Sequence, residues 1–291
     1  MVGVGRVSQV AISVRDLDRS CRFYRDVLGF LPAGGERIRG RLASRVMGLR
    51  DVDARCRWLV GRDERVQLEI FQFSRPAPNE SGADADALGW RRVGLHVEDL
   101  EGALARAAVG AGEPPAAPVG APGARTVSIR DPDGVHLDLM EADPEAGRSP
   151  AHRGARVAVR SVALGVSDVE RARSFFVDGL GLADGPARLG TGPVRIELVA
   201  CGPTASRDVR RLQDYGLLNV ALGFRHRSEF RDCVQRLRDR GYHLVSAPLD
   251  AGLFSVVYCA GPEGVSVELL YVHRWFERFT GYVPRPRKER S

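Results

Sequence analysis

Two segments of this chain occur twice in the same order, and this duplication restricts the possible fold more than any other feature. Residues 131–139 (DPDGVHLDL) align with residues 261–269 (GPEGVSVEL) at an offset of 261 − 131 = 130. Residues 15–30 (RDLDRSCRFYRDVLGF) align with residues 167–182 (SDVERARSFFVDGLGL) at an offset of 167 − 15 = 152. Repeated supersecondary units of this kind predict a duplicated architecture.

Each half also contains a shorter echo of its own first strand. The segment VSQVAISV from Val7 resembles RRVGLHV from Arg91, and VRSVALGV from Val159 resembles LNVALGF from Leu218. The sequence therefore predicts four modules, each with a strand, a helix and two or three further strands. The predicted units are an N-terminal domain at 1–143 (modules 7–75 and 88–143), a linker at 144–156, a C-terminal domain at 157–283 (modules 157–202 and 216–273), and a disordered basic tail at 284–291.

The motifs together resemble the vicinal oxygen chelate superfamily, which includes glyoxalase I, bleomycin-resistance proteins and type I extradiol dioxygenases. The resemblance is carried by the Val-rich strand, Asp-Leu-Asp at the helix start, Phe-Tyr, Leu-Gly-Phe and the closing DPDG-x-x-x-[DE]-L strand. The four-module length is most similar to the extradiol dioxygenases. The resemblance implies an α+β fold of two domains, in which paired βαβββ modules form a U-shaped mixed sheet around a cavity.

Composition excludes several classes of function. No apolar run approaches the roughly 18 residues of a spanning helix, and the N-terminus has no signal-peptide pattern, so we expect a cytoplasmic protein without a membrane partner. The net charge is +6, but it comes from scattered arginines, and no nucleic-acid motif is present. The five cysteines show no C-x-x-C spacing, which argues against disulfides and zinc. We expect a small-molecule ligand and a homo-oligomer, a dimer or higher.

Glu268 is a charged residue within an otherwise apolar strand. Because side chains alternate across a strand, Glu268 shares a face with Ser266 and points away from its apolar neighbours, toward either solvent or a cavity. Glu69 and Glu197 hold the matching positions in two other modules.

The resemblance implies that a metal would be held by side chains at equivalent strand positions. Extradiol dioxygenases use two histidines and one glutamate of the second half to hold Fe(II), but here Ser161 and Asn219 stand at the first-strand positions beside Glu268. Tyr258 matches a tyrosine of the extradiol pattern. We therefore expect no cofactor, with Fe(II) or another divalent metal as the alternative.

The second half offers a polar set that could line one pocket. Glu268 and Tyr258 are the candidate acid-base residues, with Asn219 and Ser161 beside them. An Arg195–Glu197 ion pair is plausible, because the two residues lie on the same face of one strand. The substrate-binding candidates are Arg195, Glu197 and Ser266. A polar network that only satisfies itself is the alternative.

The first half offers Gln9, Glu69, Arg92 and Asp138 at the same positions. A guanidinium has no lone pair for a metal, so an alternative metal site would use Glu69, His96, His136 and Asp138. Otherwise the first half is expected to be structural.

Three functions stay open at this point. The first is an extradiol-dioxygenase-like enzyme that acts on a small aromatic or oxygenated metabolite in the C-terminal-domain cavity by metal-free acid-base chemistry. The second is a protein that binds a drug or metabolite without turnover. The third is a dioxygenase with substituted metal ligands.

Overall fold

A computed structural model of the chain describes residues 5–79, 87–109, 116–141, 152–185, 188–202, 205 and 211–285. Most of the predicted linker and all but the first two residues of the predicted tail lie outside these ranges. The described residues form two mixed sheets and five α-helices, which confirms the expected α+β fold. None of these helices has the length and apolar character needed to cross a membrane.

All four modules begin with a strand followed by a helix. The first module contains β1 (Arg6–Ser13), α1 (Leu17–Arg22), β2 (Leu31–Arg39), α2 (Gly40–Met47), β3 (Asp53–Val60) and β4 (Gln67–Arg75). The second contains β5 (Gly89–Val97), α3 (Leu100–Ala108), β6 (Thr126–Arg130) and β7 (His136–Glu141). The third contains β8 (Val157–Val166), α4 (Val169–Ser174) and β9 (Arg195–Ala200). The fourth contains β10 (Gly216–Phe224), α5 (Arg227–Asp239), β11 (Leu249–Asp250), β12 (Phe254–Ala260) and β13 (Ser266–Val272).

The repeated helices begin and end in the same way. The Asp16 side chain accepts hydrogen bonds from backbone N–H groups of the first turn of α1, and Asp168 does the same for α4. N-capping by aspartate is the reason that the Asp-Leu-Asp motif starts a helix. Both helices continue into a π-helical turn, at Phe23–Val27 and Phe175–Gly179. The sequence repeat is therefore a structural repeat down to its irregular turn.

The sheets pair the modules differently from the sequence-based expectation. The eight-stranded sheet has the order β11-β12-β13-β10-β1-β4-β3-β2, and the five-stranded sheet has the order β6-β7-β5-β8-β9. Modules one and four share the first sheet, and modules two and three share the second. The prediction that modules one and two line one cavity, and modules three and four the other, is wrong in this respect. All four first strands carry the same apolar pattern, so the repeat does not specify which of them pair. The residue bounds of the two domains stay a prediction.

Modules that follow each other in sequence meet through the DPDG-type turns. The Asp133 carboxylate accepts hydrogen bonds from Arg15 N (2.9 Å) and Ser20 Oγ (2.8 Å), and Glu263 accepts one from Ser167 N (2.8 Å). The turn of module two thus binds the start of α1, and the turn of module four binds the start of α4. In both halves, the DPDG-type turn therefore binds the repeated helix start of the preceding module.

Asp131 lies at the centre of the first of these contacts. It is 5% exposed and accepts hydrogen bonds from the Tyr24 phenol (2.9 Å), Asp133 N (2.9 Å) and Val135 N (2.7 Å). Burial raises the pKa of this carboxyl to about 6, although its hydrogen bonds act in the opposite direction.

We expect Tyr24→Phe to lower the free energy of unfolding by about 1 to 2 kcal/mol, because a buried carboxyl loses one donor. Urea denaturation at neutral pH measures the change. Tyr242→Phe, which removes the hydroxyl group of a partly buried tyrosine, is the control. A loss no larger than that of the control would contradict the importance of the contact.

Candidate functional site

The same β-bulge occurs in the first strand of every module. In the pairing of β1 with β10, Ser8 and Leu218 have no partner residue on the opposite strand. Gln9 and Asn219 follow them directly in the sequence. In the pairing of β5 with β8, Arg91 and Arg160 likewise have no partner residue, and Arg92 and Ser161 follow them. A bulge re-aims the side chains next to it. The four bulges show that the positions compared in the sequence are structurally equivalent.

The eight-stranded sheet brings Gln9, Glu69, Asn219 and Glu268 together on one face, which we call its inner face. Glu69 and Asn219 flank Ala11, and Gln9 and Glu268 flank Ala221. Each of these two rows of three residues crosses three neighbouring strands, so the two outer residues of a row are about 10 Å apart. In each row, only an alanine methyl group stands between the two polar side chains. Modules one and four therefore build one polar site in common.

Each carboxylate of this site is bound by an amide. Gln9 Nε2 donates to Glu69 Oε1 (3.2 Å), and Asn219 Nδ2 donates to Glu268 Oε2 (3.2 Å). The indole Nε1 of Trp58 donates to Glu69 Oε1 at 2.8 Å. These contacts fix the amide orientations, because a reversed amide would direct an oxygen at a carboxylate.

The two carboxylates are buried and repel each other. Glu69 is 9% exposed and Glu268 is 6% exposed. Burial raises the pKa of both groups, and the charge of Glu268 raises the pKa of Glu69 further. Hydrogen bonds from Tyr258 and Asn219 to Glu268, and from Trp58 to Glu69, oppose part of this rise. The pair therefore retains protons at a higher pH than ordinary glutamates do.

The amide oxygens of Gln9 and Asn219 are buried and have no hydrogen-bond partner. Orphaned acceptors beside two carboxylates are suited to a cation. Carboxylate and amide oxygens suit hard cations such as Mg²⁺, Mn²⁺ or Ca²⁺. Among the described residues, no cluster of three His, Cys, Asp or Glu side chains is placed to hold a metal. The donors fit a hard divalent cation and do not supply the imidazoles that Fe(II) centres use.

Two further predicted residues border this site. Tyr258 lies opposite Glu268 on β12, and its buried phenol interacts with Glu268 and Asn219. Burial and the two carboxylates hold the pKa of Tyr258 well above its ordinary value. Ser266 pairs with Asn219. Tyr258 is therefore a neutral hydrogen-bond donor rather than a phenolate near neutral pH.

The other second-half candidates lie elsewhere. Ser161, Arg195 and Glu197 are on the five-stranded sheet, so the prediction that they share a pocket with Glu268 is wrong. The expected Arg195–Glu197 ion pair does not form. Glu197 pairs with Arg188 (3.0 Å), and Arg195 donates to the Gly190 carbonyl.

The alternative first-half metal site is also divided between the sheets. His96, His136 and Asp138 lie on the five-stranded sheet, whereas Glu69 lies on the eight-stranded sheet. Asp138 faces the Arg92 guanidinium (3.4 Å), and it accepts a hydrogen bond from Ser128 (2.5 Å). Glu69 cannot complete a site with these residues.

The segment after β13 covers the polar site. Tyr282 is 5% exposed. Its phenol interacts with Ser8, and burial together with the charges of Glu69 and Glu268 raises its pKa. In the orientation that gives both amide atoms partners, Gln67 donates to the Gly281 carbonyl (2.6 Å) and accepts from Gln9 Nε2 (2.6 Å).

Further contacts attach this segment to module one. Arg285 N donates to the Pro32 carbonyl (2.9 Å), and Glu277 pairs with Arg65 (3.0 Å). The same segment also packs on module four, where the rings of Phe276 and Phe254 are stacked with their centroids 6.2 Å apart.

Sequence reasoning missed three residues of the site. Trp58 binds Glu69, Gln67 binds Gln9 and Tyr282 covers the site, but none of the three belongs to a motif. One signal existed, since Gln67 precedes Glu69 by the same two residues that separate Ser266 from Glu268. Tyr282 could not have been found, because its contact with Ser8 depends on which modules pair. Trp58 could have been found, because it lies opposite Glu69 within module one, as Tyr258 lies opposite Glu268 within module four.

Residues 6–139 match the family described as the Glyoxalase/Bleomycin resistance protein/Dioxygenase superfamily. No curated protein matches the chain in sequence. The structure is similar to glyoxalase I from Zea mays (18% identity, 91% of this chain and 92% of that chain, TM-score 0.64). It is also similar to a putative dioxygenase from Bacillus subtilis (15% identity, 97% and 91%, TM-score 0.66) and to the cppA protein from Streptococcus pneumoniae (11% identity, 93% and 99%, TM-score 0.52). At these identities, the likeness concerns the fold.

We expect the metal-free protein to lose stability as the pH rises from about 5 to 8. Both glutamates have folded pKa values above the ordinary 4.5, so their stabilising protons are fully bound below that pH and are released as the pH passes the folded values. Urea denaturation in the presence of a chelator measures this slope. It should flatten in the double variant Glu69→Gln/Glu268→Gln, whereas equal slopes above about pH 6, where the similar contribution of Asp131 ends, would contradict it.

We also expect Tyr282→Ala to open the polar site. Removal of a buried aromatic ring costs about 3 to 5 kcal/mol of stability, and it should expose the Trp58 indole, which lies against Gly281. Acrylamide quenching of tryptophan fluorescence measures the exposure, in a Trp275→Phe background because Trp275 is already exposed. Unchanged quenching in a folded variant would show that Tyr282 does not shield the site.

Proposed function

Since this chain carries a domain of the glyoxalase, bleomycin resistance protein and dioxygenase superfamily, we propose that it is an enzyme that moves a proton on a small oxygenated metabolite. The reaction takes place on the inner face of the eight-stranded sheet, between modules one and four. Glu69 and Glu268 are the proton-transfer groups. The proposal rests on their burial as a pair with raised pKa values.

A pair of this kind suits general acid-base catalysis near neutral pH. A carboxyl with a raised pKa is a stronger base once ionised, and its protonated neighbour is a ready acid. Tyr258 stays protonated beside Glu268 and can donate a hydrogen bond to an oxygen of the metabolite on which charge develops. These roles favour removal of a proton from a carbon next to a carbonyl group.

The same four positions could hold a hard divalent cation. Glu69, Glu268 and the amide oxygens of Gln9 and Asn219 are the residues that would bind it. When bound, the cation would supply polarisation of a substrate oxygen and neutralise the charge of the carboxylate pair. The proton-transfer roles above require only side chains of this chain.

The apolar surroundings indicate the type of metabolite. The site is surrounded by a buried cluster that includes Phe71, Leu218 and Leu270 together with Trp58 and Tyr282. A ligand that displaces Tyr282 would replace an aromatic ring with its own apolar part. This supports a metabolite with an aromatic or apolar portion joined to the reacting oxygens.

Aromatic 2-oxo acids, phenols and catechols are suitable probes. Proton NMR in deuterium oxide should detect exchange or conversion of at least one probe by the wild-type protein. Glu69→Gln and Glu268→Gln should each lower this rate by about 10²-fold to 10⁴-fold. Glu98→Gln, a change of the same size at an exposed position, should leave the rate unchanged.

Each result has a clear reading. Equal rates in the Glu268→Gln variant and the wild type would contradict the proposal. Saturable binding of a probe without exchange or conversion would instead support a protein that sequesters its ligand.

A further inference from the structure

The inner face of the five-stranded sheet repeats the geometry of the polar site with different chemistry. Arg92 pairs with His136 and Gly94 with Asp138, in the register that places Gln9 beside Gln67 and Ala11 beside Glu69. Ser161 pairs with Arg195 and Ala163 with Glu197, as Asn219 pairs with Ser266 and Ala221 with Glu268. The positions of Gln9, Glu69, Asn219 and Glu268 are thus taken by Arg92, Asp138, Ser161 and Glu197.

The two inner faces differ in exposure. The side chains of Arg92 and Asp138 are 36% and 28% exposed, and that of Glu197 is 24% exposed, whereas Glu69 and Glu268 are buried. At the middle of the face, the Ser161 hydroxyl occupies the space beside Gly94, since a Cβ on Gly94 would lie 2.4 Å from Ser161 Oγ. The charged side chains of this face are therefore more accessible to solvent than the two glutamates of the polar site.

The balance of charge on this face is positive among the described residues. The cationic and imidazole side chains are Arg92, Arg188, Arg195, His96 and His136. The carboxylates are Asp138 and Glu197. A further arginine at the bulge, Arg160, forms an ion pair with Asp63. Burial lowers the pKa of His96, and the nearby Arg160 and Arg188 add to that effect, although the charge of Asp63 opposes it.

Arg92, at the centre of this face, makes only a weak ion pair. Arg92 Nη1 lies 3.4 Å from Asp138 Oδ2, a long contact for an ion pair, and Asp138 also binds the Ser128 hydroxyl. Arg92 Nε is buried and has no hydrogen-bond partner. A guanidinium normally engages an oxyanion through two parallel hydrogen bonds. Arg92 therefore has donor capacity that Asp138 does not use.

We propose that the inner face of the five-stranded sheet is a second binding site, which takes a small dianion with Arg92 as its central contact. The guanidinium holds the position that the Gln9 amide holds on the other sheet, and it supplies positive charge there. Arg195 lies on β9, two strands away from Arg92 on β5, and adds positive charge to the same face. The ligand class is a compact metabolite with two or more anionic oxygens, either a dicarboxylate or a phosphate, which presents the oxyanion geometry that arginine prefers.

Isothermal titration calorimetry with two probes, succinate and inorganic phosphate, tests this site. The wild-type protein should bind at least one probe saturably with a stoichiometry of about one per chain. Comparison of the two probes separates a carboxylate ligand from a phosphate ligand. The affinity should decrease as the salt concentration rises, because part of the site is exposed.

Two variants should change the affinity in opposite directions. Arg92→Gln should weaken binding roughly tenfold to a hundredfold, and Arg195→Gln provides a second loss variant if Arg92→Gln does not fold. Asp138→Asn should strengthen binding, because it removes the carboxylate that competes for Arg92. A merely structural role of this pair would weaken binding in both cases.

Arg231→Gln is the matched control, because it removes an arginine charge at the exposed Asp250 pair, outside both inner faces. It should leave the affinity unchanged. Absence of saturable binding of both probes, equal weakening by Arg231→Gln and Arg92→Gln, or weakening by Asp138→Asn would each overturn the proposal. None of these results depends on turnover at Glu69 and Glu268, so failure here is distinguishable from failure of the proposed enzyme activity.

Discussion

The antiparallel pairing of β1 with β10 is the contact on which the candidate site depends. It sets Val10 against Val220, which are 220 − 10 = 210 residues apart in the sequence. The parallel neighbours β4 and β13 then bring Glu69 and Glu268 to the same inner face. Without this pairing, Glu69 and Glu268 would not lie on the same sheet. The site is a product of long-range strand pairing.

The glutamate pair presents an electrostatic problem that any function must solve. Two buried carboxylates cannot both be ionised at low cost, since each destabilises the charge of the other. The amides of Gln9 and Asn219 and the indole of Trp58 offset part of this cost but not all of it, because the pKa values stay raised. The remaining charge is balanced by a proton or by a cation. This choice links the pH dependence of stability to the chemistry of the site.

The fold could be predicted largely from the sequence, because the module repeats and their motifs are local. The Asp caps, the periodic helices and the alternating strands carry their own signals, and the DPDG-type turns revealed the duplication. The site could be predicted only in part. Glu268, Tyr258 and Asn219 were found because they share one module, whereas Glu69 and Gln9 were assigned to the wrong partners.

The reason for this failure is physical. Strand pairing between modules is decided by tertiary packing of four similar apolar strands, and a single sequence carries no signal that distinguishes β1–β10 from β1–β5. The same limit explains why Ser161, Arg195 and Glu197 were grouped with Glu268. Once the pairing is known, the register fixes every position. One unpredicted topological fact therefore accounts for most of the misplaced residues.

The order of synthesis gives the β1–β10 pairing a consequence for the cell. A ribosome releases β1 first, yet its partner β10 follows only after the complete five-stranded sheet has been made. Until then, β1 presents an unpaired edge with apolar residues such as Val10 and Ile12, the kind of surface that chaperones shield and that promotes aggregation. The five-stranded sheet can form during translation, while the glutamate-bearing sheet must wait for nearly the whole polypeptide.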